Sequence, residues 1–166
     1  EQTKHDRSAF LSVLAELLKH PDPKKRVHQM FCDSAFGSPY VVKLNGMGFG
    51  NVHEVNFGSN ISPDMLHCHN MRAYMHKSMK EWLRVGCIDE SHQLEHDLTA
   101  PGHHLDNQDR LVIESKKDMA DRGIGPVDES DALCLTFATS VAQKKGANPQ
   151  PKRRQRFEAR KGPASS

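Results

Sequence analysis

The chain lacks most of the patterns that assign a protein at sight. No run of 18 apolar residues is present and no signal-peptide pattern opens it, so the sequence predicts neither a membrane span nor a secreted product. Cys32, Cys68, Cys87 and Cys134 are scattered, with no Cys-x-x-Cys pair. That argues against a disulfide scaffold and for free thiols in a reducing compartment. There are 11 histidines, with His67-Cys68-His69 the densest cluster, but the two paired ligand sets of a structural zinc site are missing. No nucleophile-elbow sequence surrounds any serine or cysteine. The glycines at 46, 48 and 50 match neither phosphate-binding fingerprint and read as a turn. No internal repeat is visible. Hydrophobic residues make up 36% of the 166, low but enough for one core. The first residue is Glu rather than Met, which suggests a fragment or a processed product.

Charge is present in quantity and unevenly placed. The net value is +2, yet residues 144 to 166 hold eight basic residues against Glu158, leaving the remainder at −5. Beyond Gly146, Pro, Arg, Lys and Ser dominate, so a disordered basic tail is expected over 144–166, following one domain over 1–143. Lys152, Arg153, Arg154 and Arg156 are the densest cations. An acidic body with a basic tail suggests a polyanionic partner such as nucleic acid, the plainer alternative being a merely solvating tail.

Apolar spacing predicts alternating helices and strands. Phe10, Val13, Leu14, Leu17 and Leu18 make a stripe on a helix from Ser8 to His20, capped by Asp6 or Ser8 and ended by Pro21-Asp22-Pro23. Val27 to Cys32 reads as a strand ending on Asp33. Ser38-Pro39 is expected to open a helix that Gly46 closes. Asn51 to Phe57 alternates as a second strand. Met65 to Val85 is expected to be the longest helix, with a Met-rich face and Gly86 as its stop. Ser91 starts a short helix through Leu98. Residues 103–113 read as a β-hairpin. Ser115 and Asp118 form a capping box for a helix stopped by Gly123. A last helix is expected from Asp128 to Val141, apolar on most of its surface. Helix and strand in alternation define an α/β fold.

The chemistry expected of this pattern rests on carboxylates. Asp33 ends a strand, where open α/β sheets gather ligands, although a turn-forming Asp is the plainer reading. Asp128 and Asp131 stand three apart at a helix start. Capping accounts well for Asp128. Asp131 leads directly into an apolar run, and a buried acid needs a partner, often a cation. Such hard oxygen ligands suit Mg²⁺ or Mn²⁺. Two ions about 4 Å apart can activate water and stabilise the leaving oxygen in phosphodiester hydrolysis.

The segment Ile113-Glu114-Ser115-Lys116, with Arg122-Gly123, Pro126, Asp128 and then Asp131-Ala132-Leu133 before Leu135-Thr136-Phe137-Ala138, resembles the C-terminal nuclease domain of tailed-phage large terminase subunits. Phe31-Cys32-Asp33, Val55-Asn56-Phe57-Gly58, Asn70-Met71-Arg72-Ala73 and Glu81-Trp82-Leu83 are similar to earlier parts of that domain, in order over about residues 5 to 143. The resemblance implies a ribonuclease H-like fold, here incomplete because its first strands are missing, with an added β-hairpin. It implies an endonuclease that cuts concatemeric double-stranded DNA during genome packaging with two divalent ions, Mg²⁺ or Mn²⁺. Asp33 and Asp131 would be catalytic and metal-ligating, with Asp128 a neighbouring ligand at a position that varies in the family. Lys152, Arg153, Arg154 and Arg156 would bind DNA. Implied partners are the phage portal and the small terminase subunit, with no membrane, assembly only on the portal, and the host bacterial cytoplasm as the setting. The sequence departs from the family in two places. Ser34-Ala35-Phe36-Gly37-Ser38 stands where a Gly-x-Gly turn is usual. The strand carrying the family's first acid has no counterpart, so at least one ion would be under-coordinated and the isolated chain would cut weakly or not at all. The residues also admit a non-catalytic nucleic-acid-binding module, or another ribonuclease H-like nuclease such as a junction resolvase.

Overall fold

The computed structural model describes residues 2–61 and 67–141. Among the described residues the architecture is mixed α/β, with six helices and four short strands. Residues 144–166, with Lys152, Arg153, Arg154 and Arg156, lie outside them.

Helix α1 spans Gln2–Lys19 and is the longest helix of the described chain. It begins well before Ser8, so Asp6 and Ser8 lie inside the helix rather than capping it. Its buried face is Ala15 and Leu18, packed with Leu11 and Leu14, while Phe10, Val13 and Leu17 stay exposed. The apolar stripe is therefore wider than the surface α1 meets. After the Pro21-Asp22-Pro23 stop, Val27 N–H donates to Leu17 C=O at 3.0 Å. That bond takes Val27 out of the predicted strand, and β1 runs only over Met30–Asp33.

Strand β1 passes directly into α2, Ser34–Gly46. The helix starts four residues before the expected Ser38, because Asp33 serves as its N-cap. Pro39 is then internal; the hydrogen bond it forgoes points from an exposed residue to exposed Ala35. Gly46 is the last helical residue, and the left-handed turn falls at Gly48, with φ of +93°. Strand β2, Val52–Val55, returns parallel to β1, with Met30 opposite Val52 and Asp33 opposite Val55. A parallel pair joined by a helix is a βαβ unit.

Alternation along these strands sorts the core into two sides. Met30, Cys32 and Val52 pack with Val41, Leu44 and the α1 face. Phe31 and Val55 point the other way, into Met75, Met79 and Cys134. Met75 and Met79 belong to α3, Met71–Leu83, which opens where Asn70 Oδ1 accepts from Ala73 N–H and caps it; Met65 and Leu66 of the expected helix lie outside the described residues. Cys134 belongs to α6, Asp128–Leu135. The result is three layers, with α1 and α2 on one side of the β1–β2 pair and α3 and α6 on the other. Helix α6 ends six residues before Val141; Thr136, Phe137 and Ala138 N–H each donate three residues back, tightening the last turn.

The remaining elements follow the sequence closely. Helix α4, His92–Thr99, is capped by Ser91. Strands β3, His103–Leu105, and β4, Leu111–Ile113, form the expected antiparallel hairpin. Ser115 Oγ accepts from Asp118 N–H at 3.1 Å and opens α5, Lys116–Asp121, which Gly123 stops at φ of +76°. No helix among the described residues is long and apolar enough to cross a membrane.

Candidate metal centre

Asp33 is the last residue of β1 and, by alternation from Phe31, lies on the side of the sheet that α3 and α6 cover. It is half-buried, and its Oδ1 accepts a long 3.4 Å contact from Ala35 N–H. Most of its lone-pair capacity is unspent.

Asp131 sits one turn before Cys134 on α6, so it shares the face that packs on the sheet. It is buried, at 7% exposure. Its Oδ2 lies 2.7 Å from Lys116 Nζ, and its Oδ1 3.9 Å from Arg72 Nη2. Neither oxygen receives an aligned hydrogen bond, so the contact with Lys116 is an ion pair of poor angle. Arg72 is itself buried; its Nη1 donates to Glu114 C=O at 2.6 Å, while Nε and Nη2 are buried without hydrogen bonds. Lys116 differs, its side chain being 63% exposed.

Two neighbours feel this cluster. His76 lies one turn beyond Arg72, with Nε2 buried and unpartnered. Burial, and then the Arg72 charge, bring its pKa down to about 4 against a smaller opposing pull from Asp131, so the ring is neutral. The Cys134 thiol is pushed up to about 12 by burial and by the Asp131 charge, which rules out a resting thiolate there.

The Glu114-Ser115-Lys116 segment divides three tasks. Glu114 receives Arg122 at 2.7 and 2.6 Å and Gly102 N–H at 2.7 Å, and these contacts hold its carboxyl below the usual carboxylate range. Ser115 caps α5, and Lys116 meets Asp131. Sequence reasoning missed Lys116 and Arg72 as partners of Asp131; their only signal was their place in the Glu-Ser-Lys and Asn-Met-Arg-Ala segments. It also missed Asp97, which is 1% exposed and whose Oδ2 accepts from Glu129 N–H at 3.1 Å. That carboxylate, from α4, serves the start of α6, where Val127 offers no side-chain cap.

Asp128 stands one turn before Asp131 and is exposed. Among the described residues no hydrogen bond or ion pair links Asp33, Asp128 and Asp131 to one another, and no group of three or more His, Cys, Asp or Glu forms a ready cation cage. The donors nonetheless suit a hard cation. Asp131 has two buried oxygens without aligned hydrogen bonds and Asp33 has one long contact. An octahedral Mg²⁺ would complete its shell with waters and phosphate oxygens. Exposed Lys116 can swing away to release Asp131, whereas Arg72 cannot move without opening the core.

Comparison with family models, with curated proteins and with solved structures gives no match.

Proposed function

We propose that the chain is the nuclease part of a phage genome-packaging terminase, a metal-dependent endonuclease acting on double-stranded DNA with a ribonuclease H-like catalytic arrangement. The observation that carries this reading is that strand alternation turns Asp33 toward the side of the sheet that α6, the helix of Asp131, covers. The two acids are about a hundred residues apart in sequence. The ordered segments quoted above and the layered α/β architecture support it. In this reading Asp33 and Asp131 hold Mg²⁺ or Mn²⁺, with Asp128 one turn away as an accessory oxygen. The ions supply an activated water and charge stabilisation for phosphodiester hydrolysis. Lys116, once a cation takes Asp131, is available to a phosphate oxygen. Arg72, 3.9 Å from Asp131 Oδ1, helps hold that carboxyl in place. The DNA, the portal and the small subunit are the partners proposed with this role.

A second reading has one observation in its favour. Lys116 and Arg72 already compensate Asp131, as they would in a purely structural buried pair of a non-catalytic nucleic-acid-binding module. Calorimetric titration of the full chain with Mn²⁺ separates the two. Under the nuclease reading the wild type binds, and Asp33→Ala and Asp131→Asn each weaken binding at least about tenfold, as losing a ligand does. Absent binding, or binding indifferent to both substitutions, would sink the nuclease reading and leave the structural one.

A further inference from the structure

Phe36 is the most exposed large apolar side chain of the described residues, at 85%. It lies three residues past Asp33, in the first turn of the helix that Asp33 caps. Phe36, Tyr40 and Lys43 follow at i, i+4 and i+7, so they share one face of α2. Tyr40 in turn meets Phe10 of α1 edge-on, with ring centroids 5.1 Å apart at 85°. Phe10 is itself 51% exposed, and exposed Arg7 stands one turn before it. The outcome is a strip of three aromatic rings leading away from Asp33, with an exposed cation one turn beyond each end of the Tyr40–Phe10 contact.

Neither the core nor the hydrogen-bond network accounts for this strip. Phe36 packs in neither hydrophobic cluster. Rings alternating with cations are the chemistry by which proteins hold single strands: bases stack on the rings and phosphates meet the cations. The faces of paired bases are covered in a duplex, so such a strip finds partners only where bases are unstacked.

We propose that Phe36, backed by Tyr40 and Phe10 and flanked by Lys43 and Arg7, is a stacking platform for unpaired bases on the α1–α2 side of the sheet, its first ring three residues along the chain from Asp33. The chain then binds DNA that is frayed, branched or single-stranded in preference to intact duplex. The proposal rests on the nuclease reading for its DNA partner, but stacking is measured separately from metal binding.

The test uses the full chain, Ca²⁺ in place of Mg²⁺, and a 2-aminopurine oligonucleotide offered single-stranded or as a duplex. Binding is read by anisotropy, and stacking by quenching of the 2-aminopurine emission. The expected result is quenching with the single strand. Phe36→Ala should remove it and weaken single-strand binding about 5- to 150-fold, the range for one base–aromatic stack. Phe36→Trp should restore both, and duplex binding should change less than twofold. The basic tail can add affinity for either DNA, but it contributes no ring to quench the probe. Unchanged quenching in Phe36→Ala, an equal loss for duplex and single strand, or no single-strand binding by the wild type would overturn the platform. If the platform fails while Mn²⁺ binding still depends on Asp33 and Asp131, the nuclease reading survives. If the platform holds while Mn²⁺ binding ignores both acids, the chain binds strands without a metal site.

Discussion

His76 shows how much one buried ring can report. Its imidazole is neutral because burial and Arg72 both oppose a second positive charge, and its pKa falls to about 4 from an ordinary 6.5. An unfolded chain takes up that proton as pH drops below about 6.5, while the native state does not until about 4. Stability from this group is therefore full above pH 6.5 and is lost as pH falls through that window, by up to about 3 kcal/mol. Urea unfolding at pH 7.5, 6 and 5 should show the decline, and His76→Gln should flatten it. Parallel slopes for wild type and variant would show that other histidines carry the effect. At the same scale, Asp131 was legible as an acid in need of a partner, from its place before an apolar run. That the partners are Lys116 and Arg72 was not, because contacts across 15 and 59 positions leave no mark on local pattern.

At the scale of elements, caps and stops carried most of the information. Ser91, Ser115 and Gly123 act as their residue types foretell, since each role needs only neighbours in sequence. Gly86 adds a second role. It was expected to stop α3, which ends at Leu83, and its N–H closes on Trp82 C=O at 2.7 Å, but its missing side chain matters as well: an added Cβ would lie 2.5 Å from the Trp82 ring. Trp82 is the single tryptophan, and it also leans on Phe137 with centroids 5.7 Å apart. Gly86→Ala should displace the indole, cost about 1–3 kcal/mol as overpacking does, and shift tryptophan emission to the red. Unchanged emission and stability would mean that the loop after α3 yields instead. Helix boundaries were the weakest expectations. Helix α2 began early because Asp33 capped it, and α6 ended early because its last N–H groups turned to carbonyl acceptors three residues back.

For the whole molecule, the balance of charge is the measurable quantity. The acidic body and the eight cations beyond residue 143 predict DNA binding dominated by phosphate contacts. Its logarithm should fall linearly with the logarithm of salt concentration. Deleting residues 144–166 should reduce that slope by about 3 to 4 if Lys152, Arg153, Arg154 and Arg156 each neutralise one phosphate. An unchanged slope assigns the binding to the body. The β1–β2 pair bears on the same scale. Parallel strands are ordinarily covered on both faces, and here, among the described residues, the two helical layers do so with two strands between them.

Periodicity, turn residues and caps are local properties, and they were enough for the sequence to determine the alternation of helices and strands, the hairpin, and which acids stand at the ends of elements. Only tertiary structure decided which side of the sheet each element covers, that α6 brings Asp131 to the side toward which Asp33 alternates, and that a lysine and an arginine already stand beside Asp131. Those outcomes depend on how non-local apolar surfaces fit against one another, and desolvation of the charges between them is settled only once the layers close.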